Sequence, residues 1–235
     1  MRILAIVPAR SGSKGIPNKN IASLGDRPLL YYALSALSES KSISEICVTT
    51  DSIKYIEIVK DYFPEIISVL RPDFLAGDVT PDIPVLLDAL EQYANIRKDY
   101  KPTHVLMVHA TSPLLLPSDI DDSIATFTAS HLHDSMVSVV SCQHPFYKHK
   151  VIDDGFLRPA PYAPNEISTS RRQDTAPIYV RNGAFYLMKV DQLKSDRMWG
   201  EHVLPYIMPR LRSVDINDYE DLELASLILS HKKDV

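Results

Sequence analysis

Residues 3–20 read ILAIVPARSGSKGIPNKN, and their pattern is the clearest indication of the fold class. It opens with a continuous apolar run over residues 3–7, which is typical of a β-strand buried on both faces. A polar loop over residues 9–20 follows, and residues 28–38 then place leucine and alanine side chains at helical spacing. The order of strand, polar loop and helix predicts an α/β protein. Its ligand should bind beside this loop, because ligands of open α/β sheets lie at the carboxyl ends of the strands.

Outward from this stretch, strand and helix patterns alternate as far as residue 141. Apolar runs predict strands at residues 46–50, 66–70, 104–109 and 136–141. Helical periods predict helices at residues 53–63 and 83–94, with a further helix capped by Ser118. After residue 181, the sequence predicts strands at 183–188 and 213–216 and a final helix at 219–229. The alternation indicates a three-layer, Rossmann-like α/β fold with a mostly parallel sheet.

Residues 142–181 interrupt this alternation. The segment contains several prolines and scattered aromatic residues, has no sustained helical period, and is long for a loop within a compact domain. We interpret the chain as a single domain, residues 1–235. Within it, residues 142–181 are expected to protrude as an inserted segment of irregular strands that reaches a partner subunit.

The composition excludes several function classes. The chain has 235 residues with 25 basic and 30 acidic side chains, and the net charge of −5 argues against a general nucleic-acid or membrane-surface binder. No apolar run is as long as a membrane span, and no signal peptide is recognised. The two cysteines, Cys47 and Cys142, indicate a reducing compartment. We therefore expect a cytoplasmic protein.

The loop over residues 8–20 carries the strongest chemical signal. Residues 1–25 contain no Asp or Glu, although Arg10, Lys14 and Lys19 lie among them. In an acidic protein this local positive charge predicts an anionic ligand, and Gly12 and Gly15 allow backbone amides to approach phosphate oxygens. The glycine spacing matches neither a P-loop nor a dinucleotide-binding fingerprint. A solvated basic loop is the alternative interpretation.

Further short motifs follow in order along nearly the whole chain. They are residues 6–21; Thr49-Thr50-Asp51-Ser52; Arg71-Pro72 with Leu75, Ala76 and Asp78; Thr111-Ser112-Pro113-Leu114; Arg172-Gln173 with Asn182-Gly183-Ala184 and Tyr186; and Asp215-Ile216-Asn217 with Glu220-Asp221-Leu222. Together they resemble the motifs of the CMP-sialic acid synthetases, or N-acylneuraminate cytidylyltransferases.

This resemblance implies an activity and a set of site residues. The family transfers CMP from CTP to the anomeric hydroxyl of a nine-carbon 2-keto acid sugar (a nonulosonic acid) and releases pyrophosphate with Mg²⁺, for which Mn²⁺ can substitute. The implied catalytic residues are Arg10, Lys19 and Asp215. Implied nucleotide contacts are Ala9, Arg10, Ser13, Lys14, Asn20, Arg71, Thr80 and Asp82, and implied sugar contacts are His109, Thr111, Ser112, Arg172, Asn182 and Tyr186.

The resemblance also implies a nucleotidyltransferase fold and an assembly. The family is dimeric through the region that corresponds to residues 142–181, so a homodimer is expected. Trp199 falls where the family places aromatic residues that reach a partner subunit's site. The alternative is that Trp199 is an ordinary core or cap residue.

Asp215 and Asn217 are the expected metal ligands. In a D-x-D arrangement along a strand, alternate side chains point the same way, so two carboxylates can hold one cation. In this chain the second position is Asn217, whose amide oxygen binds a metal with less charge. Alternatively, Asp215 and Asn217 cap the final helix together with Asp218.

Two positions bear on substrate choice. Sialic acid synthetases commonly read Gln-Pro-Thr-Ser-Pro-Leu-Arg where residues 109–115 of this chain read HATSPLL, so His109 and Leu115 depart from the pattern. We expect these changes to alter how the sugar's substituents are read, with legionaminic and pseudaminic acid as related substrates. Two other readings stay open: a cytidylyltransferase for another 2-keto acid sugar such as Kdo, and a catalytically silent nucleotide-binding module.

Overall fold

The computed structural model describes residues 1–129, 132–142, 148–161 and 177–231. Its strands are β1 (Ile3–Pro8), β2 (Ser23–Leu24), β3 (Arg27–Pro28), β4 (Glu45–Thr50), β5 (Ile67–Leu70), β6 (His104–Val108), β7 (Ser135–Ser141), β8 (Lys150–Asp153), β9 (Phe156–Pro159), β10 (Tyr179–Lys189) and β11 (Val203–Ile207). Its α-helices are α1 (Leu29–Glu39), α2 (Ile53–Tyr62), α3 (Asp82–Ile96), α4 (Pro117–Ala129), α5 (Val190–Lys194) and α6 (Tyr219–His231).

The described strands build a seven-stranded sheet in the order β11-β7-β10-β6-β1-β4-β5. β1 pairs in parallel with β4 and β6, β4 with β5, and β7 with β11, whereas β10 runs antiparallel to both β6 and β7. The carboxyl ends of β1, β4, β5 and β6 therefore meet at one edge, as the alternation predicts. The prediction of a mostly parallel α/β sheet is confirmed.

Helices cover both faces of this sheet. Side chains along β1 alternate between two cores: Ile3, Ala5 and Val7 pack with α1, α2 and α4, whereas Leu4 and Ile6 pack with α3 and α5. This alternation explains the continuous apolar run in the sequence, because every second side chain of a doubly covered strand is buried on the opposite face. A smaller third core joins Ile16, in the loop of residues 9–20 (the basic loop), to Ile216 near the C-terminus.

The polypeptide after β11 differs from the prediction. Residues 213–216 are not a strand: they run irregularly between a single 3₁₀ turn, Arg210–Arg212, and α6. The backbone N–H of Ile216 donates to the carbonyl of Thr111 at 2.9 Å, which joins this segment to the loop after β6 rather than to the sheet. The alternation of side chains along a strand, used to predict the metal site, therefore does not apply here.

Other predicted boundaries also differ from the structure. Ser118 does not cap α4, since that helix begins at Pro117 and the Asp119 carboxylate accepts from the Leu116 N–H at 3.0 Å. Residues 142–181 contain the hairpin of β8 and β9 and the start of β10. None of the helices in the part of the chain that the structure describes is long and apolar enough to cross a bilayer.

Candidate active site

A cavity of about 440 Å³ opens at the carboxyl ends of the parallel strands. Its wall combines the loop after β1, the segment between β5 and α3, the loop after β6, and Asn217. The predicted site residues that line it are Arg10, Ser13, Lys14, Lys19, Asn20, Arg71, Thr80, Asp82, His109, Thr111 and Asn217. Residues from distant parts of the sequence thus share one cavity.

Hydrogen bonds to neighbouring loops fix the basic loop. Its first residue, Ala9, is buried and donates its N–H to Thr49 O at 2.9 Å. The Asn20 side chain donates to Arg10 O at 2.9 Å, and Ser11 donates through both its N–H and its hydroxyl to the Asp51 carboxylate at 2.8 and 2.7 Å. The backbone that presents Arg10 is therefore anchored at several points before any ligand binds.

Gly15 allows the basic loop to contact the C-terminal segment closely. A Cβ atom at this position would lie 2.4 Å from the carbonyl oxygen of Asn217, closer than real contacts allow. The Lys19 ammonium donates to Ile216 O at 2.6 Å, so the loop and the 215–217 segment touch at two points. Burial lowers the pKa of Lys19, and the negative charge of Asp215 opposes that shift.

Arg10 and Lys14 share one carboxylate. Asp78, on the segment between β5 and α3, accepts from Arg10 Nη1 at 2.5 Å and pairs with Lys14 Nζ at 2.6 Å. The hydrogen bonds from Lys14 and Arg10 lower the pKa of Asp78, which keeps this carboxylate ionised. An anion therefore already occupies the positive end of the cavity.

Arg71 lines the same cavity and has a buried side chain. It is 5% exposed, and its Nη2 donates to Thr49 O at 2.5 Å. Its Nε has no hydrogen-bond partner within the described ranges. Burial lowers the pKa of Arg71. A buried donor without a partner carries a desolvation cost that a polar ligand atom can remove, so Arg71 is suited to bind an acceptor group.

His109 and Asp215 meet beside a bulge in β10. Gly183 has a φ of +75° there, and the register between β10 and β7 shifts between Arg181 and Tyr186. A Cβ on Gly183 would lie 3.7 Å from Asp215 Oδ2 and 3.8 Å from His109 Nδ1. Burial lowers the pKa of His109, which favours the neutral imidazole, and the negative charges of Asp82 and Asp215 oppose the shift.

Asp215 and Asn217 do approach each other, although not along a strand. Asn217 Nδ2 lies 3.2 Å from Asp215 Oδ2. The Asp218 carboxylate caps the helix by accepting from Asp221 N–H at 3.0 Å, and Asn217 contributes only its backbone N–H, which donates to the Asp221 carboxylate at 2.8 Å. The Asp215 carboxylate is therefore not consumed by helix capping.

The donor set around Asp215 fits a cation that is shared with a ligand. Among the residues that the structure describes, no three His, Cys, Asp or Glu side chains are close enough together to hold a metal. Mg²⁺ at triphosphate sites is commonly held by one or two carboxylates together with phosphate oxygens. Asp215, with Asn217 beside it, supplies a protein contribution of that kind.

The predicted sugar contacts do not all line the cavity. Thr111 lines the cavity, whereas the hydroxyl of Ser112 is buried and has no partner in the described part of the chain. The Asn182 amide is engaged within the protein: its Nδ2 donates to Ser213 Oγ at 3.0 Å, and its Oδ1 accepts from Ala184 N–H at 3.3 Å. Asn182 thus supports the bulge. Arg172 lies outside the described residues.

Tyr186 is the centre of an aromatic row that leads away from His109. Its ring centroid lies 5.5 Å from that of His109 and 5.3 Å from that of Trp199, and the Arg181 guanidinium lies 5.6 Å from the centre of the Trp199 ring. Burial raises the pKa of Tyr186. Trp199 therefore packs beside the candidate sugar contacts of its own chain.

A cytidylyltransferase family model matches residues 4–221, which include this whole site. The chain belongs to the cytidylyltransferase family. Its members with similar sequences include an N-acylneuraminate cytidylyltransferase from Escherichia coli O18:K1:H7, 31% identical over 98% of this chain and 53% of the relative. A CMP-N,N'-diacetyllegionaminic acid synthase from Legionella pneumophila is 27% identical over 97% of each chain.

Solved structures share the fold of this cytidylyltransferase. A CMP:2-keto-3-deoxy-manno-octonic acid synthetase complexed with CTP superposes with a TM-score of 0.70 at 12% identity, covering 99% of this chain and 100% of the other. The chain spans about half the length of some curated relatives, such as the Escherichia coli cytidylyltransferase, and nearly all of others. The resemblance to the N-acylneuraminate members of the family is confirmed.

Several residues of this cytidylyltransferase site had no role assigned from the sequence. Asp51 holds the basic loop, Asp78 pairs with its cations, and Arg181 lies over Trp199. Asp51 and Asp78 both lie inside the family motifs, which was the available signal. Arg181 gave no such signal in the sequence, because its contact with Trp199 depends on the course of the chain between β10 and β11.

Proposed function

We propose that this cytidylyltransferase transfers CMP from CTP to the anomeric hydroxyl of a nonulosonic acid, with release of pyrophosphate. The observation that carries the proposal is the shared cavity, in which the basic loop, Arg71 and Asn217 face one another, with Asp215 adjoining Asn217. A polyanionic nucleotide needs fixed positive charge on one side and a cation-binding carboxylate near its reacting phosphate. The residues that line the cavity supply the positive charge, and Asp215, which lies beside Asn217 but does not itself line the cavity, supplies the carboxylate.

The basic loop is assigned to the triphosphate. Arg10 can fork onto phosphate oxygens with several N–H donors, while Lys14 and Lys19 act as point charges. Arg71, whose Nε is buried without a partner among the described side chains, is assigned to an acceptor atom of cytosine. Thr80 and Asp82 line the same cavity as Arg71.

The sugar is assigned to the side of the cavity formed by His109 and Thr111. In the transfer, the anomeric hydroxyl oxygen bonds to the α-phosphorus of CTP and loses its proton to solvent, while the bond from that phosphorus to the bridging oxygen of pyrophosphate breaks. Arg10 and Lys19 stabilise the negative charge that grows on the phosphates. Asp215, with Asn217, would hold Mg²⁺ against the phosphates, where the cation would neutralise charge on the leaving pyrophosphate.

Pyrophosphate release tests this proposal. The protein is incubated with CTP, Mg²⁺ and a panel of acids: N-acetylneuraminic, legionaminic, pseudaminic and Kdo. Release that depends on a nonulosonic acid supports the proposal, and release with Kdo alone supports the eight-carbon alternative. Release with none of them, from a protein that still binds CTP, would identify a silent nucleotide-binding module.

Sugar selectivity is predicted to depend on His109. We expect N-acetylneuraminic acid to be a substrate, and a 7-acylamino, 9-deoxy acid such as legionaminic acid to be used at least as well. His109→Gln should shift the ratio of kcat/KM between the two sugars by about tenfold or more, because a lost polar contact to a buried hydroxyl or amide costs roughly 1–3 kcal/mol. A native preference for sialic acid above about a hundredfold that the substitution leaves unchanged would refute this role.

A homodimer is predicted to form through the inserted segment. The β8–β9 hairpin exposes Ile152, Phe156 and Leu157 at 80%, 65% and 72%, which is unusual for a free surface ribbon. Sedimentation at micromolar concentration should show a dimer, and Leu157→Asp should weaken it, whereas Ile96→Asp at the end of α3 should not. An active monomer of the native protein would contradict this prediction.

A further inference from the structure

Asp78 occupies the charged end of the cavity that the proposed function gives to the triphosphate. Its two carboxylate oxygens lie 2.5 Å from Arg10 Nη1 and 2.6 Å from Lys14 Nζ. At those distances no phosphate oxygen fits between the carboxylate and either cation, since a charge-assisted hydrogen bond itself spans about 2.7–2.9 Å. A phosphate oxygen that takes the same N–H groups of Arg10 and Lys14 must displace the carboxylate.

The charge of Asp78 also opposes a bound polyphosphate directly. The Asp78 side chain is 33% exposed and lines the same cavity as the two cations. The Asp78 carboxylate and a phosphate beside the same two cations would repel each other, because solvent screening inside the cavity is incomplete. A carboxylate that stayed in place would raise the free energy of the bound triphosphate, and one that swings out removes both the competition and the repulsion.

The turn that carries Asp78, residues 76–81, is weakly held to the rest of the protein. Val79 is 94% exposed and Phe74 is 78% exposed, so neither side chain anchors the turn. The turn itself has one long backbone hydrogen bond, from Thr80 N–H to Gly77 O at 3.3 Å. Leu75, buried at 7% exposure, and the start of α3 at Asp82 fix the ends, so the turn between them can shift without disturbing the core.

We propose that Asp78 is an internal competitor for the polyphosphate: its carboxylate holds Arg10 and Lys14 in the free protein and is displaced when a chain of phosphates binds. The inference rests on the proposed function, because it takes this cavity as the triphosphate site. Competition of this kind weakens the binding of both CTP and the pyrophosphate product. It leaves the nucleoside contacts untouched, and it favours product release because the carboxylate returns to the same donors.

The test is calorimetric titration of the protein with inorganic tripolyphosphate, with cytidine as a second probe. Asp78→Asn should tighten tripolyphosphate binding about tenfold, the sum of two modest ion pairs, and leave cytidine binding unchanged. The matched control is Asp73→Asn, which removes the same charge from an exposed position in the same segment and should alter neither affinity. In an Arg10→Gln background, Asp78→Asn should have a much smaller effect.

The outcomes separate this proposal from the proposed function. Unchanged or weaker tripolyphosphate binding in Asp78→Asn, with an unaltered melting temperature, would overturn the competitor role, and weaker binding would show that Asp78 positions Arg10 instead. An equal gain in Asp73→Asn would also overturn it, because the effect would then come from net charge. If the native protein binds tripolyphosphate and Asp78→Asn tightens it, yet no CMP transfer occurs with any acid, the competitor stands and the proposed function fails.

Discussion

Arg10→Ala should lower turnover at saturating CTP by roughly a hundredfold or more, by analogy with the loss of one oxyanion-hole donor. The reason is that Arg10 is assigned to charge that grows on the phosphates as the α-phosphorus is transferred, so it acts mainly in the transition state. Its backbone is fixed by Asn20 and by Ser11, which donates to Asp51, so the side chain approaches the phosphates from a prearranged loop. The measurement is kcat for pyrophosphate release.

Arg2→Ala is the matched control for this substitution. Arg2 is exposed and precedes β1, at the end of the strand opposite the cavity, and the hydrogen bonds that tie it to Thr103 are made by its backbone. The Arg2→Ala substitution removes one positive charge, as Arg10→Ala does, and should leave turnover unchanged. Unchanged turnover in Arg10→Ala at saturating CTP would refute the role assigned to Arg10.

Asp215→Ala should abolish most of the activity, and chelation of divalent cations with EDTA should have the same effect. Asp215 is assigned as the protein ligand of Mg²⁺ or Mn²⁺, and oxygen ligands suit these hard cations. Asn217→Asp should tighten Mg²⁺ binding or leave it unchanged, because it adds a carboxylate beside Asp215, where the amide nitrogen now lies 3.2 Å from Oδ2. The measurement is the Mg²⁺ dependence of turnover in the native protein, in Asp215→Ala and in Asn217→Asp.

Asp218→Ala provides the control for Asp215→Ala. Asp218 caps α6 through Asp221, so its loss should cost about 1 kcal/mol of stability and leave the Mg²⁺ dependence of turnover unchanged. Full activity of the native protein in EDTA, or full activity of Asp215→Ala, would show that the cation lies elsewhere or is not needed.

The sheet and the basic loop were predictable because their signals are local. Doubly buried strands such as β1 need apolar side chains at every position, and a loop that follows such a strand lies at the carboxyl edge whatever the rest of the chain does. β11 was not predicted. It lies at the sheet edge with its side chains only partly buried, and Pro205 interrupts its apolar run, which argues against a central strand.

The parts of the site that the sequence did not reveal depend on long-range contacts. Ile216 is held between Thr111 and Lys19 by hydrogen bonds to its own peptide group, and a backbone contact of this kind leaves no residue pattern. The ion pairs of Asp78 join residues more than sixty positions apart in the chain. Such contacts arise only when the sheet brings the loops together.

Mass spectrometric detection of the product, after incubation with CTP, Mg²⁺ and a nonulosonic acid, directly tests whether this protein transfers CMP. We predict a CMP-sugar whose phosphorus derives from the α-phosphate of CTP, formed in equal amount with pyrophosphate and absent when CTP is replaced by ATP. If the protein binds CTP but yields no CMP-sugar with N-acetylneuraminic, legionaminic or pseudaminic acid, the proposed transfer of CMP to a nonulosonic acid is wrong.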